Sequence, residues 1–363
     1  MKEKGNDKMN NNNNEESIGV KEIARLANVS LATVDRVLHN RTGVSETTRA
    51  KIQKIIKRLN YRPNILARRL ASGKVYRFAV LIPAVSEETA YWQAPLNGIN
   101  RAESELSQYG IKIERYFFDQ NDKKSFLEKA KVILENEIDG VVMAPSFIEE
   151  SIHFTNSCKE LKIPYVFINS DIPTQKSLCY IGPELFKSGY LAASLAGYSK
   201  RETGKILVVN IVKEIDNQHH VVRKEEGFRT YFKDKKINAD IIEMNINQTD
   251  YKAVEKSLTE VFERNPDITS IFVTNSRVFS VAKFMEKKGR KNVLLIGYDY
   301  IEENIQYLKN GKINFLICQK PEEQGYRGIM ALYHHLILKI PIANIDYMPI
   351  DIITKENYEF YKN

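Results

Sequence analysis

The sequence predicts a small all-α helix-turn-helix head, a hinge helix, and an α/β domain of two lobes built on parallel sheets. Two patterns of hydrophobicity and one of charge predict it. Apolar residues recur at helical spacing as far as Leu59, and from Tyr76 onward strand-like apolar runs alternate with amphipathic helices. Of the 54 Lys and Arg, 13 lie between Val20 and Lys74, where only 3 of the 46 Asp and Glu are found. That segment carries +10 and the rest of the chain −2, for a total of +8. A basic excess confined to one short stretch is the electrostatic footprint of a polyanion-binding segment.

Residues 1–19, with five consecutive asparagines at 10–14, lack apolar periodicity and are expected to form a disordered tail. A helix-turn-helix domain is expected over 20–62. In its first helix Ile23, Ala24 and Ala27 share a face, and Asn28-Val29-Ser30 breaks it. The second helix, 31–38, takes Ser30 as its N-cap and turns Val34, Val37 and Leu38 inward. After a loop containing Gly43, Ser45 caps a third helix in which Ile52, Ile55, Ile56 and Leu59 recur at helical spacing. Residues 63–75 are expected to be hinge and linker: Pro63 suits the first turn of a short helix over 64–71, which Ser72-Gly73 ends. Two turns are marginal in isolation, so this helix should form when a partner or DNA supports it.

Over 76–363, strands are expected at 78–82, 111–117, 140–144, 165–168, 205–210, 241–245, 270–274, 293–297 and 314–318. Repeated β/α alternation with buried runs predicts parallel sheets covered on both faces by helices, enough for two lobes. The expected lobes are 76–173 with 320–348, and 174–319 with 349–363. In such folds a ligand binds beyond the carboxyl ends of the strands.

Several function classes are disfavoured. There is no Walker loop, no GxGxxG after the first strand, no GxSxG elbow and no HExxH, so no enzyme, catalytic residue or cofactor is expected. Cys158, Cys179 and Cys318 show no CxxC pairing, and the adjacent pairs His219-His220 and His334-His335 lack a third ligand, so no metal is expected either. No apolar run reaches the ~18 residues a membrane span needs. The polar start of the chain is the opposite of a secretory signal, which predicts a cytoplasmic protein.

The head, Val20-Lys-Glu-Ile-Ala-Arg-Leu-Ala-Asn-Val-Ser-Leu-Ala-Thr-Val-Asp-Arg-Val-Leu-His-Asn, and the later Leu59-Asn-Tyr-Arg-Pro-Asn-Ile-Leu-Ala-Arg-Arg-Leu closely resemble the lactose-repressor (LacI) family. The resemblance extends more loosely over the rest of the chain, whose fold in that family is of the periplasmic-binding-protein type (type I). It implies that the second helix lies in the major groove with Leu31, Ala32 and Arg36 at base edges. Arg36 can donate two hydrogen bonds to guanine, and Leu31 and Ala32 can meet a thymine methyl. Ser30, Thr33 and Asn40 would then be phosphate or positioning contacts. The hinge helix would enter the minor groove with Asn64 and Ala67 lining it and Leu70 wedged between base pairs. Asp35 departs from the family, where a Ser is common, and an acid near phosphate needs a neighbouring base to neutralise it.

For the larger domain the resemblance implies a cleft at strand ends. Tyr91 and Trp92 would stack on a sugar ring, and Asn169, Asn275, Asp299 and Gln319 would bond its hydroxyls. Tyr298 is a further candidate wall. Lys224, or Arg223 one position earlier, stands where the family often has an arginine. The implied function is a ligand-responsive regulator, most simply a repressor, acting as a homodimer on a palindromic double-stranded operator. Its effector is expected to be a neutral sugar, because the expected wall is aromatic and amide-rich. A purine-responsive regulator and a cytoplasmic sugar receptor without DNA regulation remain open alternatives.

The wedge can be tested directly. Leu70→Ala should weaken specific operator binding by about tenfold or more while leaving nonspecific binding nearly unchanged, in titrations of both duplexes at one salt concentration. Equal loss on both duplexes contradicts the wedge.

Overall fold

The computed structural model describes residues 20–38, 41–59, 61, 74–86, 90–198, 204–213 and 219–363. The expected tail, hinge helix and the candidates Asn40, Asn64, Ala67 and Leu70 lie outside them. The chain divides into two units, Met1–Arg68 and Arg69–Asn363.

In the first unit three helices, α1 (Val20–Ala27), α2 (Leu31–Leu38) and α3 (Glu46–Arg58), close over Ile23, Ala24, Ala27, Val34, Val37, Ile52 and Ile55. These are the positions that helical spacing selects, and Leu38, Ile56 and Leu59 pack against them half-buried. The tight turn between α1 and α2 is made by Asn28, whose φ of 55° is left-handed. With it, the N–H of Asn28 donates to the carbonyl of Arg25 and that of Val29 to Ala24, so two of the helix's last carbonyls are satisfied. Ser45 caps α3 by accepting from the N–H of Thr48 at 3.3 Å.

The second unit holds two six-stranded sheets. The first contains β1 (Tyr76–Pro83), β2 (Ile111–Phe118), β3 (Gly140–Met143), β4 (Tyr165–Ile168), β5 (Cys179–Gly182) and β11 (Ile345–Tyr347), in the order β2-β1-β3-β4-β5-β11 and all parallel. The second contains β6 (Lys205–Ile211), β7 (Ile241–Ile246), β8 (Ile268–Val273), β9 (Leu294–Tyr298), β10 (Phe315–Cys318) and β12 (Asp351–Ile353), in the order β7-β6-β8-β9-β10-β12. Only β12 is antiparallel. Both lobes thus repeat one strand order, with a switch point beside the first strand of each, where ligands bind in open α/β sheets.

Helices cover both faces. They are α4 (Gln93–Leu106), α5 (Lys123–Glu135), α6 (Ile148–Glu160), α7 (Leu185–Tyr198), α8 (His219–Asp234), α9 (Tyr251–Arg264), α10 (Val278–Lys287), α11 (Glu302–Lys309) and α12 (Pro321–Tyr333). In the first lobe α4 and α12 approach so closely that a Cβ on Gly98 would fall 1.8 Å from the carbonyl oxygen of Glu322. In the second, α7 and α8 do the same: a Cβ on Gly189 would fall 1.8 Å from the carbonyl oxygen of Lys224.

All nine expected strands are present, and three more appear among the described residues. β5, β11 and β12 have only four, three and three residues, β11 and β12 each include an Asp, and β11 is an edge strand whose Ile345 and Tyr347 are exposed. β5 changes a boundary. Because Cys179–Gly182 pairs with β4 in the first sheet, the chain leaves the first lobe after Gly182 and not at 173. It returns between β10 and α12 and leaves again between β11 and β12, so three segments connect the lobes.

Candidate functional site

On the head, Ser30, Leu31, Ala32 and Arg36 are exposed and Thr33 half-exposed, on the side of α2 away from buried Val34 and Val37. Ser30 accepts from the N–H of Thr33 at 3.2 Å and its hydroxyl meets that of Thr33 at 2.9 Å, which caps the end of α2 that also carries Leu31 and Ala32. Asp35 pairs with Arg41 at 3.3 Å. This pair is exposed and adds little stability. Its consequence is local: Arg41 is tied down on both sides, since its carbonyl also accepts from Arg49 at 2.8 Å.

In the second unit, one cavity of about 210 Å3 lies where the carboxyl ends of both sheets meet. Tyr91, Trp92, Asn169, Lys224, Asn275, Asp299 and Gln319 all line it. The structure therefore brings all seven sequence-derived candidates to one place. Each stands there because a strand ends beside it, or, for Lys224, because α8 runs past those ends.

Their geometry separates the roles. The rings of Tyr91 and Trp92 meet edge-to-face, centroids 5.0 Å apart and planes 87° apart, so a flat ligand can lie on one and meet the edge of the other. The Tyr91 hydroxyl donates to Oδ1 of Asn169 at 2.7 Å. Asn275 is engaged at both ends, donating to the carbonyl of Ile211 at 2.9 Å and accepting from the N–H of Arg277 at 3.2 Å. Gln319 donates to the Ser188 hydroxyl at 3.2 Å, and Ser188 also meets the hydroxyl of Tyr298 at 2.8 Å. Asn304 on α11 fastens the loops after β8 and β9, donating to the carbonyls of Ser276, Tyr298 and Asp299.

Lys224, only 4% exposed, is the most constrained of the set. Its ammonium donates to the carbonyl of Thr274 at 3.2 Å and lies 3.7 Å above the ring centre of Tyr298. Tyr298 is therefore a platform behind Lys224 and does not form a second wall of the cavity. Burial pushes the ammonium down to about 8, against the pull of Asp299. Burial likewise lifts the Asp299 carboxyl to about 6, against the pull of Lys224. Arg223 points elsewhere, pairing with Glu226 and lying over Phe186.

Sequence reasoning missed several lining residues, among them Gln120, Ser170, Lys213, His220, Thr249 and Arg277. Two were within reach: His220 is one helical turn before Lys224, and Arg277 follows Asn275 by two. The adjacent histidines part company, His220 toward the cavity and His219 toward Asp171 at 3.7 Å. Burial, and then the charge of Lys224, push the His220 ring down to about 3, so it stays neutral. Among the described residues no group of three or more His, Cys, Asp or Glu could hold a metal.

A three-helix head with a basic segment and a two-lobed α/β unit with a polar cleft define a helix-turn-helix protein fused to a binding-protein fold. Residues 78–339 match the periplasmic binding protein domain family, and residues 19–64 match the bacterial regulatory proteins of the lacI family. The HTH-type transcriptional regulator RegA of Clostridium acetobutylicum is 32% identical over 152 residues, 42% of this chain and 43% of that protein, so the match spans less than half of that relative. A crystal structure from Bacteroides fragilis described as a LacI transcriptional regulator is 32% identical with a TM-score of 0.74, covering 80% of this chain and all of that one. GanP, a glucose-galactose binding protein from Geobacillus stearothermophilus, is alike in fold, with a TM-score of 0.70 at 21% identity over 78% of this chain and 99% of its own. The chain belongs to the lacI family of bacterial regulatory proteins, with a periplasmic-binding-protein domain as its larger part.

The buried charges make a prediction about stability. Lys224→Met strands the Asp299 carboxylate without its cation and should cost about 3–5 kcal/mol at about pH 8. A carboxyl whose pKa is raised on folding holds its proton more tightly folded than unfolded. Its cost is thus absent below the unfolded value, grows as pH rises from the unfolded value to the folded one, and is full above it. In urea denaturation the variant should recover much of its loss at about pH 5. Equal loss at both pH values contradicts the pairing.

Proposed function

We propose that this protein is a ligand-responsive, sequence-specific DNA-binding repressor whose operator affinity is switched by a sugar-like molecule held between its two lobes. The observation that carries this reading is the convergence, in one cavity at the carboxyl ends of both sheets, of an aromatic pair, three amides and a buried charge pair. Aromatic faces take the apolar side of a sugar ring, and fixed donors and acceptors replace the water lost by its hydroxyls. The cavity, of about 210 Å3, has the volume of about seven liquid waters, room for one small ligand.

On the DNA side, Arg36 has the reach and exposure to read guanine from α2, and Ser30 and Thr33 can fix its register on the backbone. A twofold dimer matches a palindromic operator, and a DNA-bound regulator works in the cytoplasm. Because three segments join the lobes, a ligand that bridges them favours one relative placement, and the sign of regulation follows from which placement it prefers.

Trp92 is the only tryptophan, so its emission reports on the cavity alone. A duplex selected from a random library should be bound with affinity that falls steeply as salt rises. Any sugar that changes Trp92 emission should also change affinity for that duplex, in either direction. A sugar that shifts Trp92 while leaving duplex affinity untouched contradicts the switch.

A further inference from the structure

We propose that Ser188 is the pin of the hinge: its hydroxyl joins the two helix pairs that carry opposite walls of the cleft, and so converts ligand contacts into one placement of the lobes. This rests on the switch reading above and assigns it a positioning residue.

The first ground is how the crossings are tied. The N–H of Met348 donates to the carbonyl of Gly182 at 2.8 Å, which joins the third crossing to the first. Lys320 pairs with Asp351 at 3.2 Å, which joins the second to the end of the third. Ser188 stands just past the first crossing, its N–H donating to the Glu184 carbonyl at 2.9 Å, and its hydroxyl accepts from the side chain of Gln319 in the second at 3.2 Å. Of these three ties, the last is the one with a residue on the cavity wall, Gln319.

The second is what the tie connects. In the second lobe α7 and α8 meet backbone to backbone: a Cβ on Gly189 would fall 1.8 Å from the carbonyl oxygen of Lys224, and one on Gly227 1.9 Å from that of Phe186. In the first lobe α4 and α12 do the same, a Cβ on Gly98 falling 1.8 Å from the carbonyl oxygen of Glu322 and one on Gly325 2.1 Å from that of Pro95. Pairs packed this closely move as bodies. One body carries Lys224, and the other carries Trp92 at the start of α4, both on the cavity wall.

A chain of buried hydrogen bonds runs between them. Gln324 on α12 donates to the backbone carbonyl of Gln319 at 2.7 Å, Gln319 donates to Ser188, and Ser188 meets the hydroxyl of Tyr298 at 2.8 Å, beneath the ammonium of Lys224. Ser188, Tyr298 and Gln324 are 0% exposed and Gln319 2%. With no water to replace a lost partner, each bond holds the next in place.

The third ground is cost stored at the same turn. Lys320, between Gln319 and α12, is held at a left-handed φ of 51°, which disfavours a residue with a Cβ. The side-chain oxygen of Gln324 is buried without a hydrogen-bond partner among the described residues. A buried acceptor left unmade is expensive. A rotation at this crossing that relieves either cost brings a second placement of the lobes close in energy, and a ligand held by Gln319 selects between the two.

The test uses the full-length protein, the library-selected duplex, and D-glucose, D-galactose, D-ribose and D-arabinose as probes of Trp92 emission. For a sugar that binds, the coupling is the ratio of duplex dissociation constants with and without saturating sugar. Ser188→Ala should bring that ratio to within about twofold of one, with a larger loss in the ratio than in sugar affinity. Tyr298→Phe, which keeps the ring under Lys224 and removes its hydroxyl, should shift the ratio in the same direction. Ser188→Ala combined with Gln324→Leu should lose no more than Ser188→Ala alone, since both break one chain. A full ratio in Ser188→Ala overturns the pin, and so does a loss in sugar affinity equal to the loss in ratio, which makes Ser188 a support for ligand residues. If none of the four sugars moves Trp92, the sugar reading fails and the pin is read without ligand, by hydrogen exchange. Ser188→Ala should then speed exchange of the amides at 319–325 by about tenfold or more, and a change confined to α7 overturns the pin.

Discussion

A lysine ammonium and an aspartate carboxylate, both withdrawn from water at the carboxyl ends of one sheet, set the terms on which the cleft exists. Burial works against the charged form of each, lowering Lys224 and raising Asp299, and each is the other's main relief. A buried pair of this kind is weak evidence for stability, since apolar residues of similar volume often do as well. The surrounding fold nevertheless holds it in place: Thr274 accepts from the ammonium, Tyr298 lies beneath it, Ser188 holds Tyr298, and Asn304 binds the carbonyl of Asp299. Gly189 lets α7 close onto α8 at Lys224 itself, where any Cβ would meet the lysine's carbonyl. So much local structure spent on an arrangement of little net benefit to folding is what a site requires, where a donor and an acceptor must be preorganised before the ligand arrives.

The head answers a different constraint. Among the described residues its core is seven buried apolar residues on three short helices, and the outward face of α2 is left free of packing duties. Charge distribution divides the labour: the basic excess belongs to the head and hinge region, and the larger domain is close to neutral overall. Asp35 is paired within the head with Arg41.

How much of this was legible in the sequence depended on the length of the pattern that carried it. The helices of the head announce themselves through repeats of an apolar period, and nine of the twelve strands among the described residues through apolar runs. β11 and β12 do not, because each has three residues with an Asp among them, and the first crossing between lobes, expected before Cys179, falls after Gly182 because β5 pairs with β4. The cleft residues were legible because strand ends converge in this architecture, which made a polar residue just past a strand informative. What the sequence could not convey was direction. Tyr298 reads as a wall and is a platform, and His219 and His220 look alike and face different cavities.

The measurement that bears most directly on this arrangement is the titration of Lys224 itself, followed as the pH dependence of its acetylation by mass spectrometry in the full-length protein. A buried lysine facing a single carboxylate should react slowly and show a midpoint near 8, well below its surface counterparts. A midpoint in the ordinary lysine range of about 10.4, with the reactivity of a surface amine, would mean that water reaches the ammonium freely, and the preorganised cleft would have to be abandoned.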